Sequence, residues 1–349
     1  MAQLPIYSRG RPINARHGNA TVIEKKPVRN FIRSYWFIFL ALAGTIELLA
    51  HYAQTRGAVT EAEWAAARET LEPMVDPSDL VLVAPAWADP LARKYFGEAI
   101  FNLDRIAFSD ISAFPRAIEI SMRGQKRAEL SAFELRKEIK SGPFTLRVLE
   151  NPSYEKRLDQ VLAHVGTANM HVMRVDDAAP RGPGQRIEND CPFVTRSVQS
   201  GGLGFGAPHP AKHYECAKGG LAGISILTDL DHNPRHCLLI FPPGGKSKIQ
   251  IRLDAFHFGK KLRGSHGVYV QSERLLKFEP ITLAISSNQA SLGKISHIDG
   301  EGWKGFQVET AALEGQTAAL GLEIESPTGL SSGGHEGVWR QYCFVLDAR

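Results

Sequence analysis

The chain has 349 residues, a net charge of +4, 43% hydrophobic and 22% charged residues, and twenty prolines with thirty-two glycines. That composition excludes collagenous, low-complexity and wholly disordered classes and leaves room for about two folded domains. The basic excess sits in the first 34 residues, where Arg9, Arg11, Arg16, Lys25, Lys26, Arg29 and Arg33 face one acid, Glu24; directly before an apolar run, it reads as the cytoplasmic flank of a membrane helix, not as a nucleic-acid arm.

The arm, residues 1–34, leads into the apolar run Tyr35–Ala53. At about 1.5 Å per residue this run makes roughly 28 Å of helix, close to the hydrocarbon thickness of a bilayer. The expectation is a single transmembrane helix over 35–53, an uncleaved signal-anchor with Tyr35, Trp36 and Tyr52 at the interfaces. The arm would then be cytoplasmic and the bulk of the chain periplasmic, held at a bacterial inner membrane. A buried soluble helix is one alternative. A cleaved secretory signal is another, but only about six apolar residues precede the small-x-small site Ala41-Leu42-Ala43.

Glu47 and His51 are four apart and share a helix face with Gly44. We read Gly44, Glu47 and His51 as a stripe packed against a partner helix, with the glycine allowing close approach and the polar pair acting as a clasp. A shallow, merely tolerated pair is the plain alternative, and His51 as an axial ligand to a haem or chlorophyll-type pigment is a third reading.

Beyond the span, Thr60 and Glu63 stand in capping-box spacing at the head of "TEAEWAAARETLEPM", predicting a helix over about 60–72. "DLVLVAP" comes next as a strand, and Asp89-Pro90 opens a helix through "PLARKYF" that Gly97 stops. "AIEIS" and "FTLRVLE" read as strands, "YEKRLDQVLAHV" as a helix and "NMHVMRV" as a strand, so the alternation predicts a small α/β domain with a mainly parallel sheet over 56–178. Residues 179–219 are a Gly/Pro-rich linker. From 220 to 349, segments such as "HCLLIFP", "SKIQIRLD", "ITLAISS" and "AALGLEIES" alternate in period two with no helix between them, predicting an all-β antiparallel sandwich of jelly-roll type.

Cys191, Cys216, Cys237 and Cys343 all lie beyond the apolar run, as disulfides in an oxidising compartment would. Four cysteines allow three pairings, and spacing does not choose among them. "RHCLLIF" and "QYCFVL" read as strands that can neighbour each other, which favours Cys237–Cys343 and hence Cys191–Cys216. The alternative is four buried free thiols.

The segment "PAWADPLAR" places Trp87, Asp89 and Arg93 just past the carboxyl end of a strand, where open α/β sheets bind ligands, and Trp87 there could stack on a sugar ring. The bland reading is that Asp89 caps the helix, Trp87 covers its end and Arg93 faces water. His213-x-x-Cys216 has a spacing zinc can use, within a wider group of His209, Asp229, Asp231, His232, His236 and Cys237; oxidised cysteines prefer each other, so no metal is assigned. "DLDHN" is not a calcium loop, because Pro234 stands where the loop glycine belongs and Ile240 at the twelfth position. "GLGFG", Gly202 to Gly206, opens no helix that could cradle a phosphate. With no "GxSxG", P-loop or "HExxH", neither catalytic residues nor a cofactor are implied.

The stretch "DLVLVAPAWADPLARKYFG", with the helix before it, resembles the extracytoplasmic α/β region that follows the membrane helices in bacterial lipid-linked-sugar glycosyltransferases, and the last 130 residues are similar to galactose-binding-like sandwiches. Together the two resemblances cover about two thirds of the chain. The many-spanning catalytic part of such enzymes, with its acidic first loop, is absent, so the resemblance implies a glycan-facing role and not sugar transfer. The leading expectation is a non-catalytic single-span protein whose helix and basic arm contact other membrane subunits and the lipid bilayer within a photosynthetic, respiratory or secretory assembly. The alternative is a carbohydrate-binding or glycan-modifying accessory protein of the cell envelope, supported by Trp87, Trp303 and Trp339. An undetected hydrolase is a third class.

Overall fold

The structure is a computed structural model that describes residues 27–55, 58–176, 187–196, 209–217, 219–243, 245, 247–275, 279–326 and 340–349. The chain divides into two compact units, residues 1–59 and 60–349. "GLGFG" and Trp339 lie outside the described residues.

Within the first unit, α1 runs Pro27–Thr55, and the side chains of 36–52 are exposed. The expectation of a transmembrane helix over 35–53 is corrected here: among the described residues, no helix is long and apolar enough to cross a membrane. The unbroken apolar run is Trp36–Gly44, about 13 Å of helix against the roughly 30 Å of a hydrocarbon core. Beyond it the apolar run, though not the helix, is interrupted by Thr45, whose hydroxyl donates back to Ala41 O at 2.8 Å, and then by Glu47 and His51.

In the second unit, α2 (Glu61–Leu71) starts at the expected capping box, with Thr60 N donating to Glu63 Oε2 at 2.7 Å and Glu63 N donating to Thr60 Oγ1 at 3.3 Å. Its buried face is Trp64, Ala67 and Leu71, spaced three and four apart as a helix requires. Trp64 stacks on Tyr95 of α3 (Asp89–Phe96) and packs against Phe144 with ring centroids 4.7 Å apart. Beneath these helices lies a sheet of β1 (Leu80–Ala84), β2 (Arg116–Met122), β4 (Phe144–Glu150) and β3 (Glu134–Ser141), in the order β1-β2-β4-β3.

The expected mainly parallel sheet is also corrected. Only β1 and β2 pair parallel; β2–β4 and β3–β4 are antiparallel. β3 and β4 are joined by Gly142 and Pro143 alone, with Gly142 at φ +57, and a connection that short can only reverse the chain, because a parallel return needs a crossover of about a dozen residues. The helix expected over "YEKRLDQVLAHV" is replaced by β5 (Asp159–Gln160) and one 3-10 turn, Val161–His164. "NMHVMRV" becomes β6 (Met170–Asp176), paired with a strand of the sandwich. Most of the described structure is thus antiparallel β with few helices.

The sandwich takes in β7 (Ile187–Asp190), β8 (Phe193–Thr195), β9 (Lys212–Glu215), β10 (Leu221–Thr228), β11 (Pro234–Phe241), β12 (Ser247–His257), β13 (Lys261–Val268), β14 (Ile281–Ser287), β15 (Ala290–His297), β16 (Lys304–Glu309), β17 (Thr317–Glu325) and β18 (Tyr342–Ala348). The larger sheet runs β16-β13-β18-β11-β10-β9-β8, with β5 on β18, and the smaller runs β15-β14-β17-β12-β6-β7. Period-two alternation puts Ile249, Ile251 and Leu253 of β12 and Leu320, Leu322 and Ile324 of β17 inward, against Tyr342, Phe344 and Leu346 of β18. Each such side chain contributes about 1.5–3 kcal/mol on burial. The disulfides are Cys191–Cys216 and Cys237–Cys343, the pairing the strand argument favours.

Candidate functional site

The outer face of the larger sheet, turned away from the core, carries its own apolar strip of Leu227, Leu239, Phe241 and the Cys237–Cys343 bridge, with Trp303 packed on it. Beside that strip the segment after α4 (Leu103–Ile106) docks on the sheet: His236 N donates to Ala107 O at 2.8 Å and Arg235 Nη1 to Phe108 O at 2.9 Å. Between this segment and the sheet runs a groove.

The register of three neighbouring strands builds its floor. Gln307, Arg263 and Asp347 are opposed across β16, β13 and β18, as are Gly305, Ser265 and Val345 in the next outward row. Two adjoining cavities, of about 440 Å³ and about 620 Å³, share Ser109, Asp110, Arg263, Gly264 and Ser265 as lining. Tyr154, 42% exposed, Phe108 and Phe114 stand at the first; Trp303 and Gln307 stand at the second. At Gly305 an added Cβ would have no neighbour closer than 3.9 Å, so this small residue leaves the floor open.

Charge pairs fix the groove's polar groups. Arg263 Nε reaches Asp110 Oδ2 at 2.9 Å, while Arg157 Nε and Arg349 Nη2 both donate to Asp347 Oδ2, at 2.9 and 3.2 Å. Burial raises the Asp347 carboxyl above the usual range, against the two arginines that lower it. Arg235 is held by Asp229 at 2.7 Å, with its guanidinium 5.6 Å from the Trp303 ring centre. Trp303 Nε1, Arg105 Nη1 and Arg349 Nε are buried without a hydrogen-bond partner among the described residues. Flat aromatic faces beside planar, rigidly held donors and acceptors match a polyhydroxylated ring, which offers C–H groups on its faces and hydroxyls at its edge.

Of the residues singled out at the end of β1, Asp89 and Arg93 lie close enough for the arginine's charge to act on the carboxyl. Trp87 sits in a 3-10 turn, Ala86–Ala88, and is 70% exposed. Asp89 does not cap α3; Ala88 holds that position and makes no side-chain cap bond. The Asp89 Oδ1 is buried without a hydrogen-bond partner among the described residues, 3.8 Å from Arg127 Nη1, and burial pushes its carboxyl up to about 6 although Arg127 and Arg93 oppose the shift. Arg93 Nε pairs with Glu98 Oε1 at 3.8 Å but has no hydrogen-bond partner among the described residues. Gly44, Glu47 and His51 lie on one exposed face of α1.

Of the histidine and cysteine group, Cys216 and Cys237 are in disulfides, and His213 is buried with Nδ1 2.7 Å from Pro210 O. Among the described residues no group of three or more His, Cys, Asp or Glu is arranged to hold a metal ion. Sequence reasoning passed over a second polar cluster at one end of the sandwich interior. His266 and His297 are buried with ring centres 5.2 Å apart, His297 Nε2 is 3.3 Å from Glu273 Oε1 on α5 (Val270–Leu275), and the buried Tyr342 hydroxyl has no partner among the described residues. Burial, then the neighbouring His297, pushes His266 down to about 4.

No family model matches the chain, and no curated protein matches it. Among solved structures it is similar to carbohydrate-binding modules. These include CBM51-2 in complex with GlcNAc and INT domains of ZmpB from Clostridium perfringens, at 9% identity and a TM-score of 0.26, covering 51% of this chain and 37% of that one. The C-terminal CBM6 of the marine laminarinase LamC from Zobellia galactanivorans is similar at 11% identity and 0.22, covering 36% and 87%. TmCBM61 in complex with β-1,4-galactotriose is similar at 8% and 0.21, covering 37% and 83%. The glycosyltransferase part of the expected resemblance finds no counterpart among these neighbours. Likeness at such scores carries no argument for a ligand. Fold and site together define an antiparallel β-sandwich with a groove across the outer face of one sheet.

Proposed function

We propose that the protein is a carbohydrate-binding protein that takes sugar units in the groove over β16, β13 and β18. The carrying observation is the cross-strand row Gln307–Arg263–Asp347 flanked by the rings of Tyr154 and Trp303. On the groove floor binding fits better than turnover, because Asp110 and Asp347 are committed to arginines and not free to pass protons, while Asp104, the third lining carboxylate, stands 3.8 Å from His236. Two disulfides support a place in an oxidising compartment, where envelope and extracellular glycans occur.

Gly305→Leu tests this reading. Its Cβ meets only ordinary van der Waals contacts at 3.9 Å in a strand interior, where a side chain is better accommodated than none, so the variant keeps its thermal stability while the leucine fills the groove. On a glycan array, wild type binds a defined set of oligosaccharides and Gly305→Leu loses them by about tenfold or more, the equivalent of ~1.4 kcal/mol. No glycan binding by wild type, or equal binding by the variant, overturns the proposal.

A further inference from the structure

The first unit carries a surface that glycan binding does not use. Every side chain from Trp36 to Tyr52 of α1 is exposed, and ten of them are large and apolar. At about 100° of turn per residue, Ile38, Phe39, Leu42, Ile46 and Leu49 fall on one side of the helix, each 41–68% exposed. Arg29, Arg33, Glu47 and His51 fall on the other by the same register, with Trp36 and Leu40 between them. Soluble proteins rarely leave a contiguous apolar face of this extent in water, so something covers it.

We propose that the cover is the surface of an anionic lipid bilayer, with α1 lying along the membrane plane. The side bearing Ile38, Leu42, Ile46 and Leu49 sinks to the acyl-chain boundary, and the side with the charged residues faces the headgroups. Three observations favour lipid over a second copy of the chain. Helix pairs meet along a narrow seam, whereas the exposed apolar side chains here extend to Phe37 and Leu48 and so take up more than half of the circumference. Residues 1–34 hold seven basic side chains against one acid, which complements anionic headgroups and would repel the same arm of a parallel partner. Trp36 and Tyr52, at the two ends of the exposed stretch, suit the boundary between headgroup and hydrocarbon. A helix in the plane needs no unbroken apolar length, so Thr45, Glu47 and His51 do not oppose it as they oppose a crossing.

Flotation of the full chain with lipid vesicles tests this. The protein rises with vesicles of mixed phosphatidylcholine and phosphatidylglycerol, and partitions about tenfold or more weakly into phosphatidylcholine alone or at about 0.5 M salt. Leu42→Gln combined with Ile46→Gln changes two exposed positions to a residue that keeps helix propensity, so thermal unfolding stays as in wild type while partition falls by about tenfold or more. In a Ser8→Cys variant, a membrane-impermeant maleimide added outside the floated vesicles labels the arm, because a helix in the plane leaves the arm on the side of entry. No flotation, equal flotation with both lipids, equal flotation of the glutamine variant, or an arm shielded from the maleimide overturns the inference. So does a dimer in sedimentation that forms in place of flotation and that the two glutamines dissociate, which would give the face to a second copy. The glycan reading stands or falls separately, on the array.

Discussion

His266 gives the sharpest pH prediction. It lies on β13 with its ring turned into the sandwich, facing His297 from β15, Phe306 from β16 and Tyr342 from β18, with the charges of Glu301 and Lys304 nearby and Glu273 of α5 behind His297. Only 2% of it is exposed, so solvent screens little. The folded value of about 4 lies below the ordinary 6.5, so the fold prefers neutral imidazole. Stability is therefore complete above about pH 6.5 and declines as the unfolded chain gains a proton the folded one refuses, levelling off below about pH 4. A difference of about 2.5 units at ~1.4 kcal/mol per unit puts the full loss near 3 kcal/mol, of which about 2 kcal/mol has gone by pH 5. Urea unfolding of wild type and His266→Phe between pH 7.5 and 4 measures it, and carboxylates common to both proteins cancel in the difference. Wild type should lose about 3 kcal/mol more than His266→Phe towards acid, so the separation between the two curves changes by that amount. Parallel curves would refute the burial argument.

Opening Cys237–Cys343, which closes 106 residues, should reduce stability by about 4.8 kcal/mol on loop entropy, against about 3.5 kcal/mol for Cys191–Cys216 with 25; equal losses in serine double variants would show that native contacts and not loop length set the scale. Asp89 is raised from 3.8 to about 6, so its charged form burdens the fold above that pH and the burden vanishes as pH falls below about 4. Asp89→Asn should therefore stabilise at pH 8, by up to about 3 kcal/mol, and lose that advantage at pH 4; a destabilised variant at pH 8 would mean the Arg127 contact outweighs burial.

Much of the secondary structure was legible because its signals were local. Thr60 and Glu63 announced α2, Asp89-Pro90 and Gly97 bracketed α3, and the period-two runs from 220 onward marked the sandwich strands. The failures in the second unit share one cause, which is that tertiary pairing decided them. β3, with the sequence ELRKEIKS, shows no apolar alternation because it is an exposed edge strand, so the hairpin that makes the small sheet antiparallel left no pattern to read. "YEKRLDQVLAHV" has a helical composition, yet Arg157 is drawn to Asp347, 190 residues away, and Asp159 accepts from His257 N at 2.9 Å. Contacts of that separation outweigh the few tenths of a kcal/mol per residue that helix propensity offers. The α1 run differs: it has the length of a span, but Glu47 and His51 deprive it of a span's apolarity.

The site divides along the same line. The surroundings of Trp87, Asp89 and Arg93 were legible because a strand end, a turn and a helix start lie within one short stretch of sequence. The groove was not visible, since Asp110, Arg263, Gln307 and Asp347 are spread over more than 200 residues; the last three meet only through the register of β16, β13 and β18, and Asp110 reaches Arg263 from the segment after α4. One trace of it did exist in the sequence. In "KKLRGSHGV" the outward positions of β13 carry Lys261, Arg263 and Ser265, while Leu262 and Val268 point to the core, and a polar outer row on a central strand is expected only where that face is wet. On a sheet whose neighbouring outer positions are Leu227, Leu239 and Phe241, a wet row bounded by an apolar strip is what a groove for a ligand with both hydroxyls and C–H faces requires.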